Sequence, residues 1–178
     1  MRSAYFLRIL ALTTLVVSLP AAAGAQGVAD PDAPDSHFTA AIGLFQFELD
    51  GDGLAPMLAV RGARPIGGVL MLEGSLVAAR PGQDSGTSTI LVPEAQVQLG
   101  IPFPGVLPYM GLGAGASFDL RDSDAGGAQT DLSLSGSLGV RGWIGERLAI
   151  VGEFRGRGLG VDFERTSAEY TIGASWRP

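Results

Sequence analysis

Hydrolysis of a lipid or ester needs a nucleophile and a base within hydrogen-bond reach, and the chain offers one histidine for that work, His37, close to Ser36 and Asp35. Standing where a lead-in meets the first strand, His37 reads as a solvated terminal histidine. A carboxylate pair could replace it, and Glu153 and Glu169 fall on neighbouring strands. Arg155 and Arg157 beside them would keep both ionised, which suits a structural role better than general acid work. Gly111, Gly113 and Gly115 miss the G-x-G-x-x-G turn of a dinucleotide site, since the spacing stays at two and runs on into a strand. The Asp50-Gly51-Asp52-Gly53 and Asp122-Ser123-Asp124-Ala125-Gly126 stretches look like pieces of calcium loops but lack the downstream bidentate glutamate. Tight Asp-Gly turns explain them equally well. The expectation is therefore no catalytic, cofactor or metal site.

The elements that carry these residues follow a period of two. From position 108 to 120, Met110, Leu112, Ala114, Ala116, Phe118 and Leu120 share one face and Gly111, Gly113, Gly115, Ser117 and Asp119 the other. Similar stretches are read at 38–48, 54–64, 69–79, 88–99, 107–120, 131–144, 147–159 and 164–176, with Gly, Asp and Pro turns between them. Eight such segments of roughly ten residues have the spacing of an all-β, eight-stranded antiparallel transmembrane up-and-down β-barrel. Connections alternate in length: 49–53, 80–87, 121–130 and 160–163 are the longer polar ones, whereas 65–68, 100–106 and 145–146 are the inward turns. Pro102, Pro104 and Pro108 are expected to stop strand pairing at 100–106, because proline has no amide hydrogen for a ladder.

Residues 1–25 read as a signal peptide. Arg2 and Arg8 precede an apolar run that is too short for a helical membrane span, and Ala23-Gly24-Ala25 has the form of a cleavage site. Residues 26–36, broken by Pro31 and Pro34, read as a flexible lead-in, leaving 37–178 as one barrel domain. The absence of cysteine excludes disulfide staples, thiolate metal sites, thiol catalysis and a lipidated-cysteine anchor. Beyond the leader, ten arginines face eighteen acids, a net charge of −8 without a single lysine, so nucleic acid is not a partner. Mean hydropathy is nevertheless +0.28, which a barrel accommodates because only alternate residues need be apolar.

Within the strands the charges fall on one face: Arg61, Glu73, Glu94, Arg141, Glu153, Arg155, Arg157 and Glu169. Four positive and four negative groups would neutralise one another in a closed lumen, whereas an unpaired buried charge costs several kcal/mol, of the order of 3–5. The polar face is otherwise rich in glycine and serine, which leave room for those long side chains. Turned inside out, the same alternation would give a soluble lipocalin-like carrier with an apolar cavity. A third arrangement, a narrow channel for small solutes, would require the ionic groups to part. Phe38, Phe118, Tyr170 and Trp176 are expected near strand ends as a partial aromatic belt.

At Pro108-Tyr109-Met110-Gly111-Leu112-Gly113-Ala114-Gly115-Ala116 and Tyr170-Thr171-Ile172-Gly173-Ala174-Ser175-Trp176, the chain resembles the small outer-membrane β-barrel proteins of Gram-negative bacteria, the OmpA/OmpX-like group. The resemblance runs from Phe38 to the end. It implies insertion by the outer-membrane assembly machinery, with Trp176 as the aromatic of its carboxy-terminal signal, although Arg177 and Pro178 follow. Outer-membrane lipid and lipopolysaccharide are the expected surroundings, a monomer the expected state and a structural or interactive role the expected function; the resemblance carries over no catalytic residues and no wall-anchoring domain.

Overall fold

The computed structural model describes residues 36–47, 53–80, 88–121, 129–160, 162 and 165–178. The leader, the lead-in as far as position 35 and the calcium-loop readings at Asp50, Asp52, Asp122 and Asp124 lie outside them. Among the described residues are eight strands: β1 (His37–Phe47), β2 (Gly53–Gly67), β3 (Leu70–Ala79), β4 (Ser88–Gly100), β5 (Val106–Arg121), β6 (Gln129–Ile144), β7 (Leu148–Leu159) and β8 (Arg165–Trp176). Each pairs antiparallel with the next, and β8 closes onto β1, so the sheet has no free edge. Three short turns and the strand ends at His37 and Trp176 share one end of the cylinder, here the turn end; the other is the loop end.

Closure requires the strands to be staggered. Partners traced around the sheet run from His37 through Ala63, Glu73, Gln96, Gly113, Ser135, Arg157 and Ser167, and return to β1 at Phe47, ten residues further on. This shear tilts the strands and sets a bore that side chains can fill. It also decides which residues meet across the interior.

Alternation separates two faces. Outside lies a belt of Ile42, Leu58, Leu112, Leu138 and Ile172, with Leu112 77% exposed. Inside, all eight charged strand residues named above are buried. An exterior of charges around a greasy hollow, the carrier arrangement, is the reverse of this. The loop-end half of the interior does hold an apolar cluster on β1 to β4, built from Ala41, Phe45, Ala55, Met57, Ala59, Val77, Ala79 and Val92. It packs tightly beside the charges and burying it supplies the hydrophobic share of the interior.

Three local expectations need correcting. Pro108 stops pairing on one side only: it lies within β5 opposite Val140 and pairing with β6 runs on through it, whereas its nitrogen faces β4, where the ladder ends at Gly100 with Tyr109 and the Pro108 carbonyl accepts from Ile101 N at 2.9 Å. The reciprocal bond to Ile101 is the one that proline cannot donate, which fits the end of the β4–β5 ladder at this point. Strand β2 continues to Gly67 through a register shift after Pro65, so the turn is only Gly68 and Val69, with Gly68 at φ 51°. Tyr170 is not at a strand end but in mid-belt, its ring 5.2 Å from Phe154; Phe38 and Trp176, paired at the turn end, do stand at strand ends.

Candidate functional site

Arg155 occupies the centre of the lumen, fully buried on β7. A guanidinium carries five N–H donors in a planar fork, so desolvating it is tolerable only when acceptors surround that plane. Here three carboxylates do so. Nη1 meets Glu94 Oε1 at 2.6 Å, Nη2 meets Glu73 Oε1 at 2.8 Å, and Nε donates to Glu153 Oε1 at 3.0 Å. Ser75 Oγ and Gln96 Oε1 accept longer bonds from the same group, at 3.3 and 3.4 Å.

Each carboxylate then reaches a further partner. Glu153 pairs with Arg61 Nη1 at 3.0 Å and accepts the Tyr109 hydroxyl at 2.7 Å on its other oxygen. Glu94 uses its second oxygen for Arg157 Nε at 3.0 Å, and Arg157 goes on to pair with Glu169. Glu73 accepts the Gln98 amide at 2.8 Å. Arg61 also donates to Thr171 Oγ1 at 3.3 Å, and Ser137 Oγ donates to Gln96 Oε1 at 3.1 Å. The result is one connected lattice of charge-assisted bonds spanning the bore from β2 to β8.

Seven of the eight sequence-derived residues are thus joined: Arg61, Glu73, Glu94, Glu153, Arg155, Arg157 and Glu169. The eighth, Arg141, is buried nearer the turn end and lies over the Tyr109 ring, its Cζ 4.9 Å from the centroid. Glu153 and Glu169, considered above as an acid–base pair, each face an arginine. His37 is not a solvated terminal residue: it is buried inside the turn end, edge-on to Trp143 with ring centroids 6.4 Å apart. Its place at the start of β1 puts it on the inward face with Thr39 and Ala41. Trp143 in turn lies beneath Arg177, whose Cζ is 3.4 Å from the ring centroid. Trp176 points outward, half exposed.

Sequence reasoning passed over Tyr109, Gln96, Gln98, Ser75 and Thr171 as members of the lattice. Their signal was parity, since each lies an even number of residues from a charged or small inward position on the same strand. Glycines supply the space. A Cβ on Gly113 would stand 2.8 Å from Glu94 Oε1, one on Gly111 2.5 Å from Gln96 Cδ, and one on Gly139 2.3 Å from Tyr109 Cζ. The glycine-rich face is therefore the complement of the long side chains opposite.

Chemically, the arrangement ties strands from β2 to β8 to one another across the interior. Its carboxylates are committed to guanidinium groups, and among the described residues no three His, Cys, Asp or Glu side chains gather into a metal-holding set.

The fold is shared with several solved structures. Neisserial surface protein A (NspA) superposes at TM-score 0.70, with 13% identity over 80% of this chain and 97% of that one. The N-terminal β-barrel domain of Pseudomonas aeruginosa OprF gives 0.58 and 17%, covering 80% and 96%. Ail, the attachment invasion locus protein of Yersinia pestis, gives 0.57 and 18%, covering 80% and 99%. No protein family and no curated protein matches the chain. The likeness is one of architecture: a closed eight-stranded antiparallel barrel.

Proposed function

We propose that this protein is an integral outer-membrane barrel whose lumen is permanently occupied by side chains, and that it serves membrane integrity or loop-mediated contact in place of catalysis. The observation that carries this reading is the pairing of an apolar exterior with Arg155 locked among Glu73, Glu94 and Glu153. Lipid tails can cover the first, and a closed interior in which each carboxylate meets a guanidinium can hold the second. On this reading the leader is cleaved, outer-membrane lipid and lipopolysaccharide surround the belt, the assembly machinery engages the strand ending in Trp176, and the protein works as a monomer.

The turn end then faces the periplasm and the loop end the exterior. A narrow channel for small solutes is the competing reading, and it requires Arg155 to leave three carboxylates together. Planar-bilayer recording decides between them. The occupied lumen gives no discrete conductance at neutral pH; regular steps from the unaltered protein would establish the channel and overturn the closed scaffold. Heat-modifiable migration of the outer-membrane fraction tests the barrel itself, which a purely periplasmic protein would not show.

A further inference from the structure

The three turns at one end of the cylinder are chemically unlike. The β6–β7 turn is Gly145, Glu146 and Arg147, and the neighbouring strand ends bring His37 and Arg177. The β2–β3 turn and the β4–β5 connection at 101–105, side by side on the opposite flank, contain no ionisable residue; the nearest is Arg64 on β2, two residues before Ile66 and partly buried, with a long side chain that can carry its charge toward the rim. In and beside them Ile66, Val69, Ile101, Phe103 and Val106 are exposed, Phe103 by 59%. Gly100 N donates to Val69 O at 2.9 Å, so the two turns abut and their apolar side chains form one surface. Through Leu70 and Leu99, which are paired and both exposed, that surface runs without a break into the outer belt.

Backbone chemistry separates the possible occupants. Hydrocarbon offers no hydrogen bonds, so any irregular chain it touches must satisfy its own amides. In the β4–β5 connection two residues are Pro102 and Pro104, which have no amide hydrogen. Phe103 N donates to Val106 O, Val106 N to Phe103 O, and Ile101 N to Pro108 O, at 2.9 to 3.1 Å, while the Gly105 carbonyl accepts from Trp143 N at 2.8 Å.

We infer that the β2–β3 and β4–β5 turns are immersed among phospholipid acyl chains of the leaflet at the turn end, so that the barrel leans and its β2 to β5 flank sits deeper than the flank bearing Glu146 and Arg177. The inference rests on the membrane-barrel reading above. Its partner is lipid, recognised by an apolar surface continuous with the belt and by a β4–β5 connection in which two residues have no amide hydrogen and the amides of Ile101 and Phe103 are bonded within the chain.

Because the chain has no cysteine, single nitroxide labels test this cleanly. Phe103→Cys, Ile66→Cys, Leu58→Cys and Glu146→Cys would each be labelled, checked for heat-modifiable migration, and placed in vesicles of phosphatidylethanolamine and phosphatidylglycerol. Collision with dissolved oxygen is compared with collision with a water-soluble nickel chelate. Labels at 103 and 66 are expected to share the oxygen-rich, nickel-poor behaviour of position 58, with an oxygen-to-nickel ratio several-fold above that at 146. A ratio at 103 and 66 equal to that at 146 would overturn the immersion, as would shielding from both agents, which marks contact with protein or a second copy. A nickel-exposed label at position 58 would instead sink the membrane-barrel reading, so the two failures are distinct.

Discussion

Tyr109 lies across the gap left by Gly139 on the neighbouring strand: a Cβ added at 139 would stand 2.3 Å from the tyrosine ring, whose hydroxyl donates to Glu153 at 2.7 Å. The two residues are register partners in β5 and β6. Replacing Gly139 with alanine must push the ring away and lengthen its bond to a buried carboxylate. The expected loss is about 1–3 kcal/mol, the usual cost of overpacking. Urea titration of Gly139→Ala in lipid checks it, and the double variant with Tyr109→Ala should cost less than the sum of the singles. Strict additivity would mean that the close approach carries no energy.

Arg155→Ala leaves Glu73, Glu94 and Glu153 facing one another without their common donor. Breaking a buried pair costs about 3–5 kcal/mol, because the remaining charge is uncompensated. Arg165→Ala removes a partner of Asp131 at the half-exposed loop end and should cost about 0–1 kcal/mol. Unfolding midpoints of the two variants, measured side by side in vesicles, should therefore differ widely. Equal midpoints would deny the lattice its bracing role.

Leu112 projects from the belt near the middle of β5. If hydrocarbon surrounds it, Leu112→Arg should destabilise the folded barrel by about 2–4 kcal/mol in a bilayer. The same substitution should matter less in a denaturant series run in detergent micelles, whose thinner and more deformable hydrocarbon layer lets the guanidinium reach water. Indifference in both media would argue that lipid does not contact this face.

Arg177 over Trp143 fastens the segment after β8 to the turn end. Arg177→Ala should cost about 0.5–1 kcal/mol, the usual range for a cation over an aromatic ring at a partly exposed site. Measured in a Trp176→Phe background, the remaining tryptophan should also become easier for acrylamide to quench. Unchanged quenching would show that the stacked pair does not shield the ring.

Period-two alternation made the strands and their inward face legible, because side-chain direction in a strand is a local property of the chain. It placed Arg61 and Glu153 on one side correctly without saying that they touch. Contact across the bore depends on the ten-residue stagger, which is set by all eight pairings together. Arg155 and Glu73, 82 positions apart, meet only because of it. Arg141 shows the same limit: its charge is evident in the sequence, but its settlement over Tyr109 instead of a carboxylate is a matter of height along the bore. His37 reads as solvated only while the strand is begun at Phe38; carrying the alternation back one residue turns it inward with Thr39 and Ala41.

The pairing of Phe38 with Trp176 brings the first and last strands together at one rim, as an even number of antiparallel passes demands. A reporter or affinity tag joined before His37 or after Trp176 would consequently emerge on the same side of the sheet, and only insertions into the connections at the opposite rim could present cargo to the other compartment.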